Sequence, residues 1–293
     1  MKRRDFIAGA LAAAGALAHH SAATPEKDLL LAAAKGPDPA AAAGSAVAAL
    51  GGIGRFVRPG MRVMLLPNPQ GRLKGASTRP ELVGAVARLC LEAGAAKVEI
   101  CSIHERFRWS GTGIVEAAER AGAALWTPGP GDWREFAVPG ARRQKKLRVI
   151  APALEADLVI NMPVAKQHES TRFTGALKNL MGVNEGNAGW HQGPAYLVDS
   201  IVDLASVVRP RLAVVDATEM LAENGPFGPG RTVKPGLVVA GTDPVAIDAF
   251  TCGLLGLKPG EVSTIVRAAE RGLGALNLVS AGEEGGVSGY RGA

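Results

Sequence analysis

The feature that most restricts the fold is a set of short apolar runs without polar alternation. Residues 158–162, 212–215 and 237–240 read Leu-Val-Ile-Asn-Met, Leu-Ala-Val-Val and Leu-Val-Val-Ala. A strand with one wet face alternates apolar and polar side chains, whereas continuous runs belong to a sheet covered on both faces. Further strand-like runs occupy 62–66, 97–101 and 123–126, and helix-like segments occupy 39–57, 80–93, 114–121, 195–208, 244–255 and 261–271. Gly94 and Gly122 stand where two helices should end, and Asp38-Pro39 and Asp243-Pro244 supply a side-chain cap with proline in the first turn. The alternation predicts an α/β fold with a mainly parallel sheet and helices on both faces. Residues 135–138 and 147–150, around Pro139-Gly140, predict a small β-hairpin in addition.

The N-terminus has a different character. Lys2, Arg3 and Arg4 precede Phe6, Ile7 and an Ala/Gly/Leu run that closes on Ala16-Leu17-Ala18. A basic head, a short apolar stretch and a small-x-small site have the layout of a signal peptide, and the adjacent arginines mark the twin-arginine route. The apolar run is too short for a membrane span, which needs about 18 or more residues. The expected organisation is a twin-arginine signal peptide at 1–18, a linker at 19–37 and a single α/β domain over 38–293. Localisation is then periplasmic or otherwise exported. The export machinery is one partner, and membrane contact runs only through an uncleaved signal.

The formal charge of +6 would fall to +4 once residues 1–18 are removed. Five positive side chains crowd into Arg142, Arg143, Lys145, Lys146 and Arg148, which suits a solvated hairpin. A nucleic-acid surface would interleave aromatic residues, and only 4% of the chain is aromatic, so no nucleic-acid partner is expected. Cys90, Cys101 and Cys252 are odd in number and lie inside apolar patterns, which predicts packing roles and no iron–sulfur cluster.

Polar residues gather where the strands should end. Asn68 follows the run at 62–66; Ser102, His104 and Glu105 follow 97–101; Lys166 and His168 follow 158–162; Asp216 and Glu219 follow 212–215; Thr242 and Asp243 follow 237–240. In open parallel sheets that edge is where ligands bind. Thr174 and Lys178, four apart, should share a helix face that Gly175 leaves bare, and with Lys166, His168 and Asn179 they would suit a small anion. Asp248 lies at the margin of an apolar helical stripe and needs a cationic or hydrogen-bonding partner. A metal reading draws on Asp216 and Glu219, with His168, Glu185 and His191 as further ligands, although no metal-binding spacing is present.

Taken together, residues 58–68 with Pro67-Asn68, Asn161-Met-Pro-Val-Ala-Lys166-Gln-His168, Gly175-Ala-Leu-Lys178-Asn179-Leu-Met-Gly182, Asn224-Gly225-Pro226 and Gly241-Thr-Asp243-Pro-Val-Ala-Ile-Asp248 resemble the domain of unknown function 362 family. The similarity spans about residues 45–257. Some members carry a ferredoxin-like module, whose cysteines this chain lacks. A lysine often precedes the Pro-Asn of the first motif, where Leu66 stands here. A more distant likeness to the cofactor-binding half of lactate racemase brings a metal or metal-organic cofactor, held by Lys and His, into consideration.

The leading expectation is an exported enzyme that takes a small anionic substrate or cofactor at the strand ends. Lys166, His168 and Asp248 are its candidate catalytic residues, and Asn68, Lys178, Asn179, Thr242 and Asp243 its ligand-binding ones. Asp216 and Glu219 would hold a metal. The alternative is a non-catalytic periplasmic binding protein for such an anion. At this stage nothing identifies the reaction or the cofactor.

Overall fold

The computed structural model describes residues 29–103 and 109–293. The expected signal peptide, the first part of the expected linker, and His104 with Glu105 lie outside the described residues.

The core of the molecule is a nine-stranded sheet in the order β14-β15-β1-β13-β10-β7-β2-β3-β4. The five strands β10 (Leu212–Ala217), β7 (Leu158–Met162), β2 (Arg62–Pro67), β3 (Lys97–Cys101) and β4 (Ala124–Trp126) form an unbroken parallel block. β13 (Leu237–Gly241) pairs antiparallel to β10 and to β1 (Leu31–Lys35). β15 (Val287–Gly292) pairs antiparallel to β1 and to β14 (Leu278–Glu284). Seven strands therefore run one way, while β13 and β15 run the other. The sheet is mainly parallel, as the apolar runs predict.

Strand pleating divides the apolar side chains between two cores. Val63, Leu65, Leu212 and Val214 face one core. It is closed by α1 (Pro39–Ala49), α2 (Pro80–Glu92) and α3 (Ile114–Arg120). Met64, Leu66, Ala213 and Val215 face the other. That core is covered by α5 (Ala176–Asn179), α6 (Pro194–Ala205), α7 (Pro244–Gly253) and α8 (Ser263–Glu270). Helices thus cover both faces, which explains why the central strands are apolar throughout. A short helix, α4 (Pro152–Glu155), precedes β7.

The helix starts follow from local chemistry. The Asp38 carboxylate accepts from the Ala40 N–H at 2.9 Å ahead of Pro39, and Asp243 accepts from the Val245 and Ala246 N–H groups at 2.9 Å ahead of Pro244. β5 (Trp133–Ala137) and β6 (Lys146–Ile150) form the expected hairpin. Its basic turn is held down by Asp203 of α6, a fully buried carboxylate that accepts from the N–H groups of Arg142, Arg143 and Gln144 and from the Arg271 guanidinium.

One expectation needs correction. The linker read over 19–37 contains β1, whose Leu31 and alanines are buried between β13 and β15. Small alanine side chains fit that crowded position and carry little strand signal of their own. The glycine-containing segments 278–284 and 287–292 form a hairpin, β14 with β15, that completes the sheet on that side. Glycine weakens a strand in isolation, and pairing with β1 overrides it here.

Candidate functional site

From β2 the chain runs outward through β3 and β4, then returns to the opposite flank of β2 as β7 and β10. The crevice beyond the carboxyl ends of β2 and β7 is consequently where strand order reverses, the place where open α/β sheets bind ligands. A cavity of about 300 Å³ lies there. Asn68 enters it from the end of β2 and Ser102 from the end of β3. After β7 the chain makes an antiparallel pair, β8 (Lys166–His168) and β9 (Arg172–Thr174), and then α5; these supply His168, Thr174 and Lys178.

Three buried asparagines join these elements. Asn68 Nδ2 donates to Asn179 Oδ1 at 3.0 Å, and Asn179 Nδ2 donates to Asn161 Oδ1 at 2.8 Å and to the Leu66 carbonyl at 2.9 Å. Asn161 Nδ2 donates in turn to the Ala176 carbonyl at 2.8 Å. Every polar atom of the Asn179 carboxamide is used, so its role is to fix α5 against β2 and β7. Of the two Asn68 amide hydrogens one goes to Asn179 and the other is left for the cavity, while its Oδ1 accepts from the Gln70 N–H at 3.1 Å.

The electrostatics of the floor are one-sided. Lys166 is fully buried, and its Nζ donates to the Ala76 carbonyl at 2.6 Å. Burial, reinforced by the Lys178 charge, brings its amine down to about 7. Lys178 lines the cavity with its Nζ 3.4 Å from the Met181 sulfur, a weak acceptor, and burial brings it down to about 8. Among the described residues no carboxylate pairs with either ammonium. His168 Nδ1 accepts from the Ser170 N–H at 3.1 Å, which leaves the ring proton on Nε2. Burial, then the charges of Lys178 and Lys166 and the nearby His191, lower the His168 ring to about 3, so the imidazole is neutral near pH 7. Thr174 Oγ1 is a buried hydroxyl in the same cavity with no hydrogen-bond partner among the described residues. Such a group costs about 1–3 kcal/mol unless something completes it.

The profile of a domain of unknown function (DUF362) matches residues 63–253, well over half of the chain. The chain belongs to this family. Its DUF362 span runs from β2 to α7 and contains every residue lining the cavity. The chain is 34% identical to the thylakoid-associated protein sll1697 of Synechocystis, over 76% of this chain and 72% of that one. Among solved structures it is similar to the lactate racemase apoprotein of Thermoanaerobacterium thermosaccharolyticum at 12% identity and a TM-score of 0.49. That similarity covers 79% of this chain and 58% of the racemase.

Within the DUF362 scaffold, the expected residues divide. Lys178, His168 and Asn68 meet at the cavity, with Asn179 behind them and Lys166 buried beneath. Thr174 and Lys178 also meet there, but not on one helix face: Thr174 ends β9 and α5 begins only at Ala176. Gly175 does not clear space for a ligand either, because a Cβ there would collide with the Asp248 carboxylate and the Phe173 ring. Asp248, fully buried, accepts from the N–H groups of Ala176 at 2.5 Å and Leu177 at 3.0 Å. It positions the helix that carries Lys178 and does not line the cavity. Burial lifts its carboxyl to about 7 against the pull of those two hydrogen bonds.

Thr242 and Asp243 are not in the site. Because β13 runs opposite to β10, its carboxyl end emerges at the other edge of the sheet. There Asp243 caps α7 and accepts from the Ala275 N–H at 2.8 Å. Strand direction is the one property that an apolar run does not encode.

The metal expectation fails on its donors. The Asp216 carboxylate accepts from the Arg79 N–H at 2.8 Å and from the Thr218 N–H and hydroxyl at 3.0 and 2.6 Å. Glu219 is occupied by Arg79 at 3.3 Å and the Thr232 hydroxyl at 2.9 Å, and Glu185 by Arg148 at 2.6 Å. No three His, Cys, Asp or Glu side chains converge on a metal position among the described residues. The two histidines lining the cavity sit beside Lys178, whose charge opposes a bare cation. Gln70, Glu169, Asn187 and Phe227 are among the other lining residues and were not singled out in the sequence. Phe227 lies in the run from Gly225 to Gly230, whose glycines and prolines signal only a turn.

Proposed function

We propose that this protein binds a small organic or inorganic anion, a carboxylate or a phosphate, in the cavity at the ends of β2 and β7. The observation that carries the reading is the pairing of Lys166 and Lys178, two buried amines without a carboxylate partner, with the unpartnered Thr174 hydroxyl. Buried charges are ordinarily paired, and an anion would supply the missing partner for the ammonium, the hydroxyl and the His168 Nε2–H together. Calorimetric titration with acetate and with inorganic phosphate tests it. At least one should bind to the wild-type protein and neither to Lys178→Met; equal heats from both proteins would end this reading.

Catalysis has its own support. The Lys166 and Lys178 amines titrate near neutrality, where a group both gives and takes protons readily. His168 is the poorer base, since its Nδ1 accepts a backbone hydrogen bond and its Nε2 carries the proton. Lys178 is therefore the proton carrier at the cavity wall, with His168 a neutral donor to the anion. Exchange of the methyl protons of pyruvate in deuterium oxide, followed by NMR, is expected to accelerate with wild type and not with Lys178→Met.

Export is part of the same proposal, resting on Arg3, Arg4 and the apolar run that follows them. Replacing both arginines by lysine is expected to hold a fused reporter in the cytoplasm. Among the described residues no helix is long and apolar enough to cross a membrane.

A further inference from the structure

The cavity is larger than its cationic floor requires. Water occupies about 30 Å³ per molecule in the liquid, so some 300 Å³ exceeds the needs of a bare acetate or phosphate several-fold. Apolar and polar groups share its walls: Met181, Pro67, Pro69, Pro226 and Phe227 line it together with Gln70, Glu169, Asn187 and His191.

Exposed large apolar side chains are few among the described residues, and Phe227 is one of them. Phe227 is 52% exposed and Leu73 47% exposed, two of only four large hydrophobic side chains so exposed among the described residues. Leu73 lies against the loop that carries Phe227: a Cβ at Gly228 would stand 3.1 Å from Leu73 Cδ1.

The loop that carries Phe227 is fastened to the strand that carries His168. The Gly225 N–H donates to Gln167 Oε1 at 2.5 Å, and the Gly225 carbonyl accepts from the Glu169 N–H at 3.2 Å. Asn224 closes the loop on itself through the Pro229 carbonyl at 2.9 Å, and its own carbonyl accepts from the Gly228 N–H at 2.9 Å. The aromatic ring is thus presented from a loop tied to the anion-binding floor.

We propose that the ligand is amphipathic: an organic carboxylate whose anionic head lies on Lys178, Thr174 and His168 and whose aromatic or branched apolar tail packs against Met181, Pro226 and Phe227. This inference rests on the anion-binding reading and adds the tail. Charge at one end and apolar wall at the other select against inorganic anions, which cannot use the rim, and against neutral aromatic molecules, which leave the floor unpaired. Phe227 is then a residue that sets specificity.

The test is a titration series of acetate, phenylacetate and 3-phenylpropionate, with 3-phenylpropionamide as the neutral analogue, against wild type, Phe227→Ala and Lys178→Met. Phe227 is exposed on a loop, so its replacement leaves the cores intact. Wild type is expected to bind 3-phenylpropionate roughly tenfold or more tightly than acetate, from the apolar area removed from water. Phe227→Ala should lose that gain and keep acetate affinity, and Lys178→Met should lose both acids. The amide should bind weakly to all three proteins. Equal affinity for acetate and 3-phenylpropionate, unaffected by Phe227→Ala, would overturn the amphipathic ligand while leaving anion binding intact. Tight binding of the amide would overturn both the paired head and the floor's role, and failure of every acid would overturn the anion reading and this inference with it.

Discussion

The Asp248 carboxylate accepts a hydrogen bond from the Ala176 N–H at 2.5 Å, so a side chain of α7 fixes the first residue of the four-residue helix that carries Lys178. A helix that short has little stability of its own, because nucleation is costly and few intrahelical bonds repay it. Its position is inherited from Asp248 at one end and from Asn179 at the other.

Replacing Asp248 by Asn should therefore weaken both the fold and the site. A carboxamide accepts at only one of its two positions and turns a donor toward the second N–H group, at a cost of about 1–3 kcal/mol. Measured at pH 8, above the Asp248 value of about 7, urea unfolding should shift to lower midpoint. Acetate affinity should fall as well, although Asp248 does not line the cavity.

Gly175→Ala makes the same point through sterics. The added Cβ must displace the Asp248 carboxylate or the Phe173 ring, both buried. Overpacking of this kind costs about 1–3 kcal/mol. Thermal unfolding should show the loss. Gly182→Ala, whose Cβ would approach the Ser102 hydroxyl at 3.2 Å, should be milder.

Anion affinity should depend on pH with a definite sign. The ligand needs the ammonium form of Lys178, whose amine stands at about 8 in the empty site. Affinity should hold from pH 6 to near 8 and fall above it. A bound anion raises the Lys178 value in the complex by stabilising the charge, so the decline continues from about 8 up to that raised value. His168, neutral throughout that range, should leave no inflection near 6.5, and calorimetry across pH 6–10 reads both features.

Folding stability should carry opposing slopes. Lys166 and Lys178 hold protons more weakly in the folded protein than at their ordinary 10.5, so stability rises as pH goes from about 7 or 8 toward 10.5. Asp248 holds its proton more tightly than at its ordinary 3.8, so its contribution falls as pH rises from 3.8 to about 7. His168, lowered from 6.5 to about 3, rises across nearly that same window and offsets it. In His168→Gln the acid side should then show the decline alone, giving a stability minimum near pH 7 in urea titrations. A minimum equally deep in wild type would contradict the assignment to His168.

Much of the fold was legible because apolar periodicity reports burial directly. β3 and β7 fall where their runs predict, and α2, α3, α6, α7 and α8 lie within a few residues of the expected helices. That Lys178 and His168 line one cavity was also suggested by the polar residues collected after the run at 158–162, although Lys178 stands on α5 and not at a strand end. The alanine strand β1 and the glycine-rich β14 and β15 were not, because their strand character comes from neighbours and not from their own side chains.

What the sequence determined by itself was a two-sided sheet with polar groups at its ends and a basic segment tied to a hairpin. Local patterns carry that much, because burial and capping act on residues close in the chain. Tertiary structure decided which edge each strand end reaches, and it moved Thr242 and Asp243 away from the site by reversing β13. It also decided which carboxylates were already occupied: Asp216 and Glu219 spend their oxygens on Arg79, Thr218 and Thr232, while Lys166 and Lys178 are left without an anion. Pairing between residues as distant as Asp248 and Ala176 depends on where the backbone brings them in space, and no local pattern records that.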